Sequence, residues 1–576
     1  MCFTLVGFQC RYSTLTCDYV AQTQAIKTMT PKIQIFTKPN CRFCETTKQT
    51  FRQGGLAYDE HDVTASERTA NLSVYLSGVA TVPQIFIGNM HVNGAQDVMT
   101  LAAADRLVSL TTGETGDIGM DSLPEAEVAA GAEDLVLNAV IPESNGTHSE
   151  DPEEWAILHF YKAFFGFWPN CFYFMHHWPE AYKLFVYAHN VGAIGAGREI
   201  IGEPVMMATG FATSNAHGCN YCQVHMTAAG GEKSLGIPQL IEAVRSGKAP
   251  ATAPIGPFEL ALADLAAAAT TNTVTADLLS RVKSFADKAR VSQASAEANI
   301  MGTAMIASAF GFLNTFNDLT GVEIEAAWAK QAQAAAGIEA GRHGVSENRT
   351  SNNLDHKLPE GGPSIDDMIA KYEGIVAAAD GVDAYATQEL GLMPAWMTLW
   401  PEPLRARHAL FYVEMMQSRD HSPIASELKH LMARASAIAK GHDYLAAVEG
   451  WLAYQAGGET PQAADRVRHC FDAAKGRGAW RSHFTAAEQA ALVLAWLSAQ
   501  IPLTTPRRFI EPALKAFSSV ELVHLITVCS VAGLIQRFAA ITQPQIEPQV
   551  KDFLVRHNLT TDTLAIRYPL PNKVVA

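Results

Sequence analysis

The chain is 576 residues long, 48% hydrophobic, and carries a formal net charge of −15. This length predicts three or four domains with room for substantial cores, and the acidic balance excludes nucleic acid and anionic membrane as principal partners. Ten cysteines, four of them in two CxxC pairs, do not make a disulfide scaffold in so long a chain and fit a reducing, cytoplasmic compartment.

Residues 1–28 form an N-terminal extension with one Arg, one Lys and a short apolar run from Cys2 to Phe8, too short for a signal peptide. Translation starting at Met29 accounts for this stretch equally well and would leave Cys2, Cys10 and Cys17 without a role.

Residues 29–112 alternate between strand and helix patterns. Strands are expected at 32–36, 56–63, 83–87 and 91–92, with helices at 42–54, 65–78 and 96–111. Asn40 is a plausible helix cap, so the Cys41-Arg42-Phe43-Cys44 pair opens a helix that follows a strand. The helix dipole and unpaired N–H groups there favour a thiolate at the first cysteine. The two thiols would also fit half of a zinc site, but no second CxxC or CxxH lies nearby.

With Lys38, the Cys41–Cys44 pair, Thr81-Val82-Pro83 and Gly94-Ala95-Gln96-Asp97 in order, this stretch resembles a glutaredoxin. The resemblance implies an α/β thioredoxin-like fold, a cis Pro83, Cys41 as nucleophile and Cys44 as resolving thiol. It also implies glutathione bound by Lys38, Thr81, Val82, Pro83, Gly94, Gln96 and Asp97. Arg42 stands where the family commonly has proline, and its charge favours the thiolate further.

Residues 113–152 are acidic and rich in Gly and Pro: between Gly113 and Glu154 there are twelve acidic residues and no Lys or Arg. They read as a flexible, self-repelling linker. The sequon Asn145-Gly146-Thr147 has no other sign of secretion beside it.

From Trp155 the pattern is helical. The aromatic stretch from Tyr161 to Tyr182 contains Lys162, Pro169, His176, His177 and Pro179, so a buried or interface helix pair explains it better than a bilayer span. Trp178-Pro179-Glu180 recurs at Trp400, Ala216 to Cys222 at Ala439 to Leu445, and Phe312 to Thr320 at Leu534 to Thr542. The spacing is 222 or 223 each time, which indicates two copies of one all-α domain, at 153–345 and 363–560.

Only the first copy carries the chemistry. Cys219, Cys222 and His225 share one helix face, where the thiols can bridge and the imidazole can act as base. The second copy has His442, Leu445 and Val448 there and is expected to be structural. Cys219, Cys222 and His225 could alternatively be three zinc ligands, although no fourth is evident. Cys171, Cys470 and Cys529 lie in apolar patterns and read as inert buried thiols; His176 and His177 read as packed core, and His217 as a surface residue.

The run Ser214 to His225, with Phe312-Leu313-Asn314 further on, resembles the alkylhydroperoxidase AhpD-like, or carboxymuconolactone decarboxylase-like, family. The resemblance implies that Cys222 attacks a peroxide, Cys219 closes a disulfide and His225 relays protons. Members usually carry a glutamate twelve residues before the first cysteine; here that position is Met207, with Glu203 one turn earlier. The two resemblances together imply a thiol-dependent peroxidase fed by the fused glutaredoxin at the expense of glutathione, without metal or flavin. A glutathione-dependent oxidoreductase acting on a partner protein, and a redox-sensing helical interaction module that assembles as a homo-oligomer or binds a partner, are the competing readings.

Overall fold

The computed structural model describes residues 33–112, 116–249, 251–346, 353–354 and 358–570; the expectations placed on residues 1–28 fall outside them. An N-terminal thioredoxin-like α/β domain is followed by a largely helical region. The domain's sheet has the order β2-β1-β3-β4, from β1 (Ile33–Thr37), β2 (Asp59–Asp62), β3 (Gln84–Ile87) and β4 (Met90–Val92). β1 runs parallel to β2 and antiparallel to β3. Every residue of β1 is buried because both faces are covered. Ile33 and Ile35 join Phe51 of helix α1 (Arg42–Gln53) on one side; Phe36 joins Leu72 and Tyr75 of α2 (Glu67–Ser77) on the other.

The expected last helix of this domain is two: α3 (Ala95–Ala103) and a short turn of helix at Leu107–Leu110, interrupted where Asp105 takes a positive φ of 53°. The Val82–Pro83 peptide is cis, as the resemblance implied.

The acidic stretch differs from the flexible linker expected of it. Its described residues are strapped to the body through their charges. In α4 (Glu125–Ala132), Glu127 accepts a 2.5 Å bond from the Tyr75 hydroxyl, and a Cβ on Gly131 would lie 2.5 Å from the Tyr75 ring. Glu133 pairs with Arg507, and Asp134 with Arg342 and Thr505. An acidic run without its own cations is a docking strap when the cations sit on the surface it crosses.

The repeated stretches of sequence fall on pairs of helices. α5 (Glu203–His217) and α6 (Asn220–Glu232) meet at Gly218, and α8 (Ser426–Lys440) and α9 (Asp443–Ala456) meet at Gly441; both glycines take left-handed φ, 92° and 76°. Two long helices, α7 (Gln293–Thr320) and α10 (Ser519–Thr542), cross at the centre of the helical region. Both are apolar and long enough to cross a membrane by composition, but the apolar windows are 67% and 89% buried in the body.

At the crossing, Gly311 faces Gly533: a Cβ on Gly311 would sit 2.5 Å from the Gly533 carbonyl oxygen, and one on Gly533 2.9 Å from that of Gly311. The contact is reciprocal between equivalent positions of the two copies, as in a twofold dimer interface. Gly311→Leu and Gly533→Leu should each lower the thermal midpoint, with a loss on the order of 1–3 kcal/mol from overpacking. Gly231→Ala, where a Cβ meets open space, is the control. Equal melting of control and crossing variants would remove the crossing from its central place.

Candidate active site: two cysteine pairs

Cys41 and Cys44 form a disulfide at the start of α1, where Cys41 is the N-cap and its sulfur accepts a 3.1 Å bond from the Cys44 amide. Cys44 is buried and Cys41 is 7% exposed, while Arg42 and Phe43 stand in solvent, Phe43 at 63%. Of the residues expected to hold glutathione, Lys38, Thr81 and Gln96 are exposed, Val82 and Gly94 half-buried and Pro83 buried. Asp97 departs from the expectation. Its carboxylate is held by the chain's own C-terminal segment, with Arg567 Nη1 and the Tyr568 hydroxyl each at 2.7 Å.

The domain is also seated on the second helical copy. Arg508 donates to the Tyr75 carbonyl at 2.7 Å and lies over the Tyr75 ring, and Gly78 abuts Trp496 and Phe509.

The second pair is buried, Cys219 fully and Cys222 at 3% exposure. Cys219 caps α6 and Cys222 lies one turn in. A cavity of about 670 Å³ reaches Cys222 and His225 from a mouth at the exposed residues Phe164, Glu199 and Ile200; Phe165, Met206 and Met207 make its wall apolar, and Cys219 does not line it. Asn317 Nδ2 donates to Cys222 Sγ at 3.3 Å.

His225 Nε2 donates to Glu325 Oε2 at 2.7 Å. The other Glu325 oxygen accepts from the Asn170 amide at 2.7 Å and the Tyr221 hydroxyl at 3.1 Å. The His225 ring stacks on Tyr221 at 4.2 Å and meets the edge of Trp328 at 4.8 Å. Burial opposes ionisation of Glu325, but His225 and the Asn170 amide outweigh it and hold the carboxyl below its ordinary range. The imidazole is thereby fixed in place and tautomer beside the cavity thiol.

Behind the pair, Cys219 Sγ lies 4.0 Å from His343 Nε2, which is 2.9 Å from Asp318 Oδ1. Burial first, then the neighbouring Cys222 and Asp318, push the Cys219 thiol well above its usual value.

His217, expected at the surface, is buried. It sits 3.3 Å from Asp318 and accepts from Arg537 Nη2 at 2.9 Å; burial takes its pKa down to about 3. Arg537 belongs to α10, so the second copy, expected to be structural only, delivers a cation to the first copy's thiols. Arg537 also donates to Asn314 Oδ1 at 2.8 Å, and burial lowers its own pKa to about 9 despite the nearby Cys222, Cys219 and Asp318.

Glu203 does not serve His225; it pairs with Lys233. The orienting carboxylate is Glu325, a hundred residues downstream. Its signal in the sequence is the repeat itself: Ile324-Glu325 recurs as Ile546-Glu547 at the same spacing. Glu547 accepts from Tyr444, the counterpart of Tyr221, at 3.0 Å. The Tyr–Glu framework thus survives in the copy that has lost the thiols. Cys171, Cys470 and Cys529 are buried free thiols, and burial raises the pKa of each. His176 bonds Glu154 at 2.8 Å within the aromatic cluster, and His177 contacts the Pro142 carbonyl.

Residues 33–92 match the glutaredoxin family model. Hybrid peroxiredoxin hyPrx5 of Haemophilus influenzae is 43% identical over 70 residues, 12% of this chain and 27% of that protein's length. Glutaredoxin-1 of Mus musculus is 31% identical over 91 residues, 14% of this chain and 83% of that one. Among solved structures, that of the debrominase Bmp8 with a bound tribromopyrrole is 19% identical at a TM-score of 0.27, covering 32% of this chain and 93% of that one. Through its N-terminal domain the chain belongs to the glutaredoxin family. That domain makes it a thiol–disulfide oxidoreductase, of a family that uses glutathione as reductant.

Glu325→Gln should cost roughly 1.5–3 kcal/mol, because it removes the buried carboxylate that accepts from His225, Tyr221 and the Asn170 amide. The sign in pH follows from the lowered carboxyl. The stabilisation is fully present above the ordinary glutamate value of about 4.3 and is lost as pH falls through the lower folded value. Denaturant melts of wild type and variant across this acid range should therefore converge as pH drops; parallel curves would show that the pair does not carry the effect.

Proposed function

We propose that the chain is a glutathione-dependent peroxidase whose AhpD-like helical site is reduced by the fused glutaredoxin domain. One observation carries this reading: of the Cys219–Cys222 pair only Cys222 lines the cavity, where Cys171 is a second, unpaired thiol, and His225, held by Glu325, lines it too. The Cys222 thiolate attacks the distal peroxide oxygen; the O–O bond breaks, the alcohol leaves with a proton relayed through His225, and Cys222 becomes a sulfenic acid. The Cys219 thiol then displaces water from that sulfur, and a disulfide closes. The cation of Arg537 and the Asn317 amide stabilise the charge on Cys222 through this sequence.

Two electrons restore the pair by thiol–disulfide exchange, from glutathione through Cys41 and Cys44. Attack by Cys41 requires the buried pair, Cys219 at 0% and Cys222 at 3% exposure, to become accessible. The name hybrid peroxiredoxin of one relative supports joining a glutaredoxin to a peroxidase. A second reading rests on the exposed Phe43, Lys38 and Arg42 around Cys41: that edge can seat a partner protein's disulfide directly.

A coupled assay with glutathione, glutathione reductase and NADPH tests both. Cys41→Ser should abolish NADPH loss with either a peroxide or a small disulfide as acceptor. Cys222→Ser should abolish it with peroxide alone. Peroxide turnover that survives Cys222→Ser would sink the peroxidase reading.

The order of the thiols has its own test. Cys219→Ser should leave a sulfenic acid at Cys222 that dimedone traps, and Cys222→Ser should leave none at Cys219. The reverse pattern would exchange their roles.

A further inference from the structure

Of the cluster behind the thiols the peroxidase chemistry uses only Cys219. Cys219 Sγ, an Asp318 oxygen and a His343 nitrogen lie within 4.8 Å of one another, and all three residues are buried. His343 Nδ1 donates to the Val322 carbonyl at 2.9 Å, which turns Nε2 toward Asp318 at 2.9 Å and Cys219 at 4.0 Å. The second Asp318 oxygen faces the buried His217 Nε2 at 3.3 Å, a nitrogen without a hydrogen bond of its own. An imidazole fixed by a backbone carbonyl, with its other nitrogen beside a thiol and a carboxylate, is the outer-shell arrangement of a metal-binding histidine.

We propose that the reduced protein binds one zinc ion through Cys219, Asp318 and His343, with the Cys222 thiolate as fourth ligand. Sulfur, nitrogen and oxygen donors together suit zinc. Bonds of about 2.0–2.3 Å place tetrahedral ligand atoms roughly 3.3–3.6 Å apart, so the observed 2.9 and 4.0 Å need shifts of a few tenths of an ångström. Charge also balances: two thiolates and a carboxylate are matched by Arg537 and a divalent ion. Cys222, in the first turn of the helix that Cys219 caps, stands outside the 4.8 Å cluster, so its sulfur turns in to complete the set when the ion binds. The ligand set excludes His225, which is engaged by Glu325.

The ion would hold both thiols reduced. When a peroxide removes two electrons from the two thiolates, it is reduced to alcohol and water with two protons from solvent. The disulfide forms, two ligands are lost, and the ion leaves. Only this link to turnover rests on the peroxidase reading; the binding of the ion does not.

The test uses the full chain carrying Cys41→Ser and Cys44→Ser, so that the other CxxC pair cannot bind metal. Reduced, chelator-treated protein is titrated with Co²⁺ and then Zn²⁺. A near-ultraviolet thiolate-to-cobalt band saturating at about one equivalent, with tetrahedral visible bands that zinc abolishes, is expected. His343→Gln and Asp318→Asn should each weaken binding at least about 10-fold, while His225→Gln leaves it within about twofold. Circular dichroism of each variant separates lost ligation from lost fold, and the wild-type cobalt spectrum decides independently of any variant. Absence of the thiolate band, or binding lost in His225→Gln but kept in His343→Gln, overturns the proposal. Turnover of the native chain in chelated buffer tests the peroxidase separately: a chain that turns over but binds no metal defeats this inference alone, and one that binds metal but never turns over defeats only the peroxidase.

Discussion

Two glycines set the distance between the halves of the helical region. With Gly311 and Gly533 at the crossing of α7 and α10, the backbones approach to a separation that no side chain could share. Everything else in the active region is measured from that contact. One turn beyond it Asn314 on α7 bonds Ser214 and accepts from Arg537 of α10, and nearly two turns beyond it Asn317 donates to the Cys222 thiol. A wider crossing would withdraw the guanidinium and leave Asn314 and His217 without their donor.

Burying that guanidinium is costly, several kcal/mol for an ion without partners. The site offsets the cost with Asn314, His217 and the negative potential of Asp318 and the thiols. The dependence runs both ways: the thiols gain a cation, and the cation gains the groups that make its burial tolerable. Thr315 stands 222 positions before Arg537, so the thiols and their counterion come from different halves of the sequence repeat.

Local motifs were legible in the sequence, and long-range geometry was not. The helix opening at Cys41 follows from residue types that act over a few positions, and the cis proline from the glutaredoxin resemblance that such motifs carry. The residues completing the second site, Glu325, Asp318, His343 and Arg537, lie 96 or more positions from Cys219 and Cys222 and come together only through helix packing. Glu325 alone left a trace, as the member of a repeated Ile-Glu pair. The acidic stretch misled for a related reason: composition reports its charges but not the arginines at 342 and 507 that neutralise them. His217 misled because a histidine before a helix-ending glycine is usually solvated, whereas here α10 covers it.

The two ends of the described chain meet at Asp97, which Arg567 bonds across 470 positions. Tyr568 also packs into the apolar core of the first domain. On the ribosome, at about 5–20 residues per second, the first domain emerges roughly 25–95 s before these last residues follow. During that interval the nascent domain has to hold its sheet with one core residue missing and an acidic side chain bare. The redox domain is therefore completed by residues made 470 positions after Asp97, and a chain released before them would carry that domain without one wall of its core.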